Sequence, residues 1–190
     1  MTPLRLGLSE FSCKVENRSP QIGGFQIKWS HDTQSWHFSR AGWRRVIALL
    51  QRVSEARVEV AGQLAARIGR GLLVLVAVRP ADDEASALRL LDRLLKYRIF
   101  ADEAGKMNLN LQQIAGDLLL VPQFTLAADT RHGLRPGFST AAPPEQGKRL
   151  FESLVSAAKT RHSPVSSGVF GAHMQVSLTN DGPVTFWLEG

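Results

Sequence analysis

The stretch "VIALLQRVSEARVEVAGQLAARIGRGLLVLVAV", residues 46–78, decides the fold class of this chain. "VIALLQRV" (46–53) and "ARVEV" (56–60) read as strands, the second with clean alternation of apolar and polar residues. "QLAARI" continues as a short strand, and Gly69-Arg70-Gly71 supplies a turn. The run 71–78 has the unbroken apolar character of a strand buried on both faces.

Working outward, the pattern changes period. Asp82 or Asp83 caps a helix through "EASALRLLDRLLKYR", whose Ala85, Leu88, Leu91, Leu94 and Leu95 recur at helical spacing. "DEAGK" (102–106) is turn chemistry, and "GDLLLVPQFTLAAD" (116–129) reads as a long apolar strand interrupted by Pro122. A loop rich in Gly, Arg and Pro (130–144) leads into a second helix from Glu145 to His162, with Leu150, Phe151, Leu154, Ala157 and Ala158 inward. "AHMQVSLTN" (172–180) and "VTFWLE" (184–189) close the chain as two strands. About eight strands against two helices, in runs rather than strict alternation, make an α+β fold. Strand-rich mixed sheets forming a barrel-like or sandwich core are expected.

Residues 1–45 are different material. They hold 7 of the 23 Lys/Arg but only 3 of the 17 Asp/Glu, together with Trp29, Trp36, Trp43 and the one cysteine, Cys13. Without sustained periodicity they read as a poorly ordered extension with one short strand near "FQIKW", ahead of a regular domain over 46–190. The abrupt break also makes Val46 a candidate start, because an internal GTG codon is translated as Val but initiates as Met. An intact mass retaining Trp29, on protein from its native host, would end that reading. The formal charge of +6 points toward a polyanionic partner, although more than half of it sits in this first segment. A single cysteine excludes an internal disulfide and any Cys-based zinc site, so a reducing cytoplasm is the default expectation. No apolar run approaches the ~20 residues needed to span a bilayer.

Common catalytic signatures are missing. There is no phosphate loop, no G-x-S-x-G elbow and no paired-histidine metal motif, so neither metal nor cofactor is expected. His173, beside Met174 in an apparent strand, reads as a hydrogen-bonded structural histidine. Two stretches carry more. In "PQFTLAADT" (122–130), Gln123 and Thr125 are spaced by two, so in an extended strand they share one face while Phe124 points away. That polar face is either a solvent-exposed strand end or a lining. "NDGPVTF" (180–186) is either a β-turn, with Asp-Gly providing the turn and Pro its exit, or a backbone presented to a ligand. No usual general base lies near Thr125 in sequence.

At these two stretches the chain resembles the D-aminoacyl-tRNA deacylases, which remove mischarged D-amino acids, and glycine, from tRNA. That family is marked by S-Q-x-T-L and N-x-G-P-x-T motifs, matched by "PQFTL" (122–126) and "NDGPVT" (180–185). Further matching blocks are "LLQRV" (49–53), "YRIFADEAGKMN" (97–108), "AADTRHGLRPGFS" (127–139) and "GVFGAHMQVSL" (168–178), so the likeness spans 46–190. Its proteins usually begin at a Met where this chain has Val46. Pro122 departs from the motif serine, losing a hydroxyl and an N–H donor.

The resemblance implies hydrolysis of the ester joining a D-amino acid to the tRNA 3′ end, in the cytoplasm and by a homodimer. The Gly182-Pro183 peptide would be cis and would enter the partner's site as a main-chain gate against L-amino acids. Glycine, lacking a side chain, would pass it. Thr125 and Gln123 are the implied catalytic residues. Phe124, Gly182, Pro183, Arg52, Phe170 and Met174 are implied to bind substrate, with Phe170 a surface for the terminal adenine; packing is the other reading for Arg52, Phe170 and Met174. Two further functions fit the residues less well: a non-catalytic RNA-binding protein, and an esterase using Thr125 as nucleophile.

Overall fold

Ser54 and Glu55 do not break the first long stretch. In the computed structural model, which describes residues 26–30, 35–39 and 45–190, Ile47–Val60 is one 14-residue strand where the pattern predicts two shorter ones. In chain order the elements are β1 (Gln26–Ser30), β2 (Ser35–Ser39), β3 (Ile47–Val60), β4 (Gln63–Ile68), β5 (Gly71–Ala77) and α1 (Glu84–Lys96). They continue with β6 (Phe100–Ala101), β7 (Met107–Leu109), β8 (Asp117–Pro122), a 3-10 turn (Phe124–Ala127), α2 (Pro144–Arg161), β9 (Val165–Ser167) and β10 (Met174–Glu189).

The chain divides into two units, residues 1–43 and 44–190. In the first, β1 pairs antiparallel with β2. The strand expected near "FQIKW" is β1; the remainder of the poorly ordered extension predicted for 1–45 falls mostly outside the described residues. No helix among the described residues is long and apolar enough to cross a membrane.

The second unit is built on β3. One edge of it pairs antiparallel with β10, and the other with β5 (against Ile47–Val53) and then β4 (against Ala56–Val60). β8 joins β5 in parallel, and β9 joins β8 in parallel. This mixed sheet curls until it is nearly closed into a barrel, with β6 and β7 forming a second small sheet. The fold is α+β.

Alternation explains both layers of the core. Leu72, Val74 and Val76 of β5 face outward onto the helices with Leu118 and Leu120 of β8, while Leu73, Leu119 and Val121 point into the curled sheet. A strand with apolar neighbours on both faces has no polar positions to alternate, which is why 71–78 reads as an unbroken apolar run.

Each helix is the crossover between two parallel strands, α1 from β5 to β8 and α2 from β8 to β9. Asp83 caps α1, accepting the Ser86 N–H at 2.9 Å while the Asp83 N–H donates to the Ser86 hydroxyl at 2.9 Å. The buried face of α1 is Ser86, Ala87, Leu90, Leu91, Leu94 and Leu95 rather than the stripe through Ala85 and Leu88. Six residues of helix put Ala85 well round from Leu91, and it is exposed. Ion pairs from Glu84 to Arg149 (3.0 Å) and from Asp92 to Arg161 (2.6 Å) tie α1 to α2.

Candidate active site

The C-terminal ends of β5 and β8 open into a cleft of about 470 Å³. Its walls come from four segments: Val76–Val78, Val121–Phe124, the entry and first turns of α2 (Ala142, Pro144, Gly147, Phe151), and Phe170–Met174 with Val176. An apolar cleft with few polar groups, at the carboxyl ends of parallel strands, is a common ligand site.

Gln123 directly follows the last residue of β8. Its N–H still donates to Val76 O at 2.7 Å, continuing the ladder to β5. Successive N–H groups point to opposite edges, so the donor missing at Pro122 lies on the β9 side, just beyond the bond from Gly168 N–H to Leu120 O at 2.8 Å. Proline in the serine position therefore leaves the β5–β8 ladder intact. Beyond Gln123 the chain leaves the extended conformation and winds into the 3-10 turn, with Leu126 N–H donating to Gln123 O (3.2 Å) and Ala128 N–H to Thr125 O (3.1 Å). The extended reading of 123–125 is corrected: Phe124 lines the cleft, and Thr125 is exposed beside it. Tight winding, with i to i+3 bonds, replaced the two-residue alternation.

Two consequences follow for chemistry. The N–H groups of Phe124 and Thr125 are the first two of the 3-10 turn and have no acceptor within it. The Gln123 carboxamide donates to the Thr125 hydroxyl, so this hydroxyl has an amide neighbour rather than a base.

The far wall is shaped by glycines. Gly147 leaves room for Phe170, whose Cζ would lie 3.4 Å from a Cβ added there, and Phe170 tilts against Phe151 with ring centroids 6.4 Å apart. Gly168 lets the Met174 thioether and the Pro122 ring close over it, since an added Cβ would meet them at 2.9 and 3.3 Å. Met174 Sδ accepts the Val169 N–H at 3.3 Å, fixing the turn that carries Phe170. His173 also lines the cleft, is exposed, and precedes β10 rather than lying within it. Its reading as a structural histidine is corrected; a lone histidine in an apolar run gave no signal of a cleft position.

Arg52, Gly182 and Pro183 do not line this cleft. Both halves of β10 pair with β3 in the same direction, Asn180 opposite Val53 and Thr185 opposite Gln51. "NDGP" is therefore not a hairpin between two strands but an excursion from one strand, with residues 181–184 standing opposite the single residue Arg52. The Asn180 carboxamide closes its neck like a borrowed peptide group. Oδ1 accepts the Val184 N–H at 2.7 Å, and Nδ2 donates to Val184 O at 3.0 Å. Arg52 holds the other side, its Nε donating to Asp181 O at 2.8 Å and its Nη1 to Ile99 O at 2.6 Å. The Gly182–Pro183 peptide bond is cis, and both residues are exposed.

The clasp gives a direct prediction. Asn180→Asp keeps the acceptor but loses the donor and sets a charge against Val184 O, which is expected to cost about 1–3 kcal/mol. The shift appears as a lower urea midpoint with unchanged slope.

A family model described as D-Tyr-tRNA(Tyr) deacylase matches residues 49–189, which is most of the chain. The chain belongs to the D-Tyr-tRNA(Tyr) deacylase family. A D-aminoacyl-tRNA deacylase from Ectopseudomonas mendocina is 62% identical over 141 residues, 74% of this chain and 97% of that protein. One from Pseudomonas fluorescens is 63% identical over 141 residues, with the same shares covered. Among solved structures, the c-Myc DNA Unwinding Element Binding Protein is 35% identical at a TM-score of 0.73, covering 76% of this chain and 98% of that one. A probable eukaryotic D-amino acid tRNA deacylase, 18% identical at a TM-score of 0.68, has the same fold over 76% of this chain and 99% of its own.

Proposed function

We infer that this protein hydrolyses the ester bond between a D-amino acid and the 3′ end of tRNA. The observation that carries this reading is the 62% identity to D-aminoacyl-tRNA deacylases over 97% of their length. The cleft supports it, because Gln123, Phe124, Phe170 and Met174 converge there from separate segments. Its substrate places the reaction in the cytoplasm.

The ester is already activated, so the site has to position water and stabilise a developing oxyanion. The N–H groups of Phe124 and Thr125 are the donors for that charge. Thr125 is not a covalent nucleophile in this account, because Gln123 cannot take its proton. The neighbouring ribose 2′-hydroxyl activates the water, Gln123 orients the substrate, and Phe170 backs the terminal adenine.

Handedness is judged by main chain. The Gly182-Pro183 excursion is held by Asn180 and Arg52 away from its own cleft, on β10 at the end of the sheet order. Such a wedge fits the cleft of a second copy, making the working unit a homodimer. Rigid backbone that blocks the L-configured side chain works for every amino acid at once, whereas glycine has nothing to block.

Thr125→Ala is expected to lower kcat roughly tenfold, the worth of one hydrogen bond at about 1–1.5 kcal/mol, and to leave measurable turnover. A substrate ending in 2′-deoxyadenosine, with the amino acid on the 3′-oxygen, is expected to resist hydrolysis. Normal turnover of the deoxy substrate removes the ribose from the mechanism. The DNA-element binding named for the 35% identical relative favours a second reading, nucleic-acid binding without chemistry. Tight binding of D-aminoacyl-tRNA with no product formed is the result that reading requires.

A further inference from the structure

The aromatic surface of the cleft does not stop at its mouth. Phe124 lines the cleft and is 56% exposed; Phe138, which does not line it, is 43% exposed, and the two ring centroids are 5.2 Å apart at 58°. The pair therefore straddles the rim. Phe138 is firmly placed there. Asp129 and Gly137 exchange both main-chain hydrogen bonds (2.8 and 2.9 Å), closing the loop 130–136 behind it. Ala141 N–H then donates to Phe138 O at 3.0 Å, and Ala142 N–H to Val78 O at 2.9 Å, tying the segment to the end of β5.

Charge indicates what covers these rings. Residues 130–144 include Arg131, His132 and Arg135 but no Asp or Glu. Asp129 at the base is already occupied by the forked Arg131 guanidinium, at 2.8 and 2.7 Å. That pairing neutralises Arg131 and leaves Arg135 as the arginine with no carboxylate in the loop. Flat apolar faces beside such a charge suit a single-stranded nucleic acid, whose bases stack on aromatics while basic groups follow its backbone.

Building on the tRNA reading above, we propose that the Phe124–Phe138 pair is a second base site, stacking the nucleotide that precedes the terminal adenosine. Phe138 binds substrate there without touching the reacting ester. The site extends recognition from one nucleotide to two and directs the acceptor end over the loop.

The test uses non-hydrolysable amide-linked ligands and equilibrium binding to the full chain. D-Tyrosyl-adenosine is compared with D-tyrosyl cytidine-cytidine-adenosine, and with the same trinucleotide made abasic at its middle position. Stacking on aromatics predicts a roughly 5- to 100-fold loss on removing the middle base. Phe138→Ala should weaken the full trinucleotide by a similar factor, the abasic one hardly at all, and Phe138→Trp should restore the difference. Equal weakening of all three ligands by Phe138→Ala, or a middle base whose removal changes nothing, overturns the proposal. Base-dependent binding through Phe138 in a protein that hydrolyses no D-tyrosyl-tRNA would uphold this site while refuting the deacylase reading; binding of none of the ligands defeats both.

Discussion

Gly182→Ala is expected to cut hydrolysis of D-tyrosyl-tRNA by about 100-fold or more, with the fold retained. A Cβ at Gly182 would lie 2.0 Å from Val184 N, 2.8 Å from Val184 Cγ2 and 3.0 Å from Asn180 Oδ1. Those are the atoms that close the neck of the excursion, where Val184 N–H donates to Asn180 Oδ1. The methyl group has to open that clasp, and the main chain of 181–183 moves with it. A displacement of about 1 Å at a positioning element commonly costs about 100-fold in rate. Because residues 181–183 are exposed and sit outside the cores, the loss of stability should stay near that of the opened clasp, about 1–3 kcal/mol, and leave the protein folded under assay conditions. The discriminating readout is the ratio of rates on D- and L-substrates: loss of a wedge lowers that ratio as well as the D-rate. A variant as active and as selective as the parent would show that the excursion does not reach a substrate.

Gly71→Ala is expected to unfold the protein or to cost about 4 kcal/mol or more, at the extreme of single substitutions. Gly71 begins β5 opposite Asp117, the first residue of β8. A Cβ there would lie 1.9 Å from Asp117 O and 2.7 Å from its C and N. This overlap is with backbone, so no rotamer change relieves it, and the joint is stitched on both sides. Asp117 N–H donates to Arg70 O at 3.0 Å, and Gly69 N–H to the Asp117 carboxylate at 2.7 Å. Separating the strands at this point pulls Leu72 and Leu73 away from Leu118 and Leu119, and with them both cores. Circular dichroism with urea titration measures the loss; a midpoint near the parent's would contradict the packing described.

What could be read from the sequence followed the range of the interactions involved. The alternation of 56–60, the continuous apolar run of β5 and the capped start of α1 are local, and each predicts its element. The joining of 46–53 with 56–60 is not local: two solvent-facing residues look like a break until strands pair along both edges. "NDGP" shows the limit best. Turn chemistry at Asp181-Gly182-Pro183 was plain, but a turn that reverses the chain and one that returns it to the same line use the same residues. Only the pairing of both flanks with β3 separates them. For Gln123 and Thr125 the two-residue alternation does not hold, since a 3-10 turn brings their side chains together, with Gln123 lining the cleft and Thr125 exposed beside it. Phe170 and Met174 enter through the resemblance alone, and His173 reads as structural until its cleft position is seen. Nothing in their spacing reveals that the chain between β9 and β10 folds back over the ends of β5 and β8.

The most direct test of the account compares first-order hydrolysis rates of D-tyrosyl-tRNA and L-tyrosyl-tRNA by the full chain at equal enzyme concentration. A backbone wedge that rejects one configuration predicts a rate ratio of at least about 1,000 in favour of the D-ester, beyond the roughly 10- to 200-fold that a missing methylene contact supplies in a side-chain pocket. A ratio near one would contradict it.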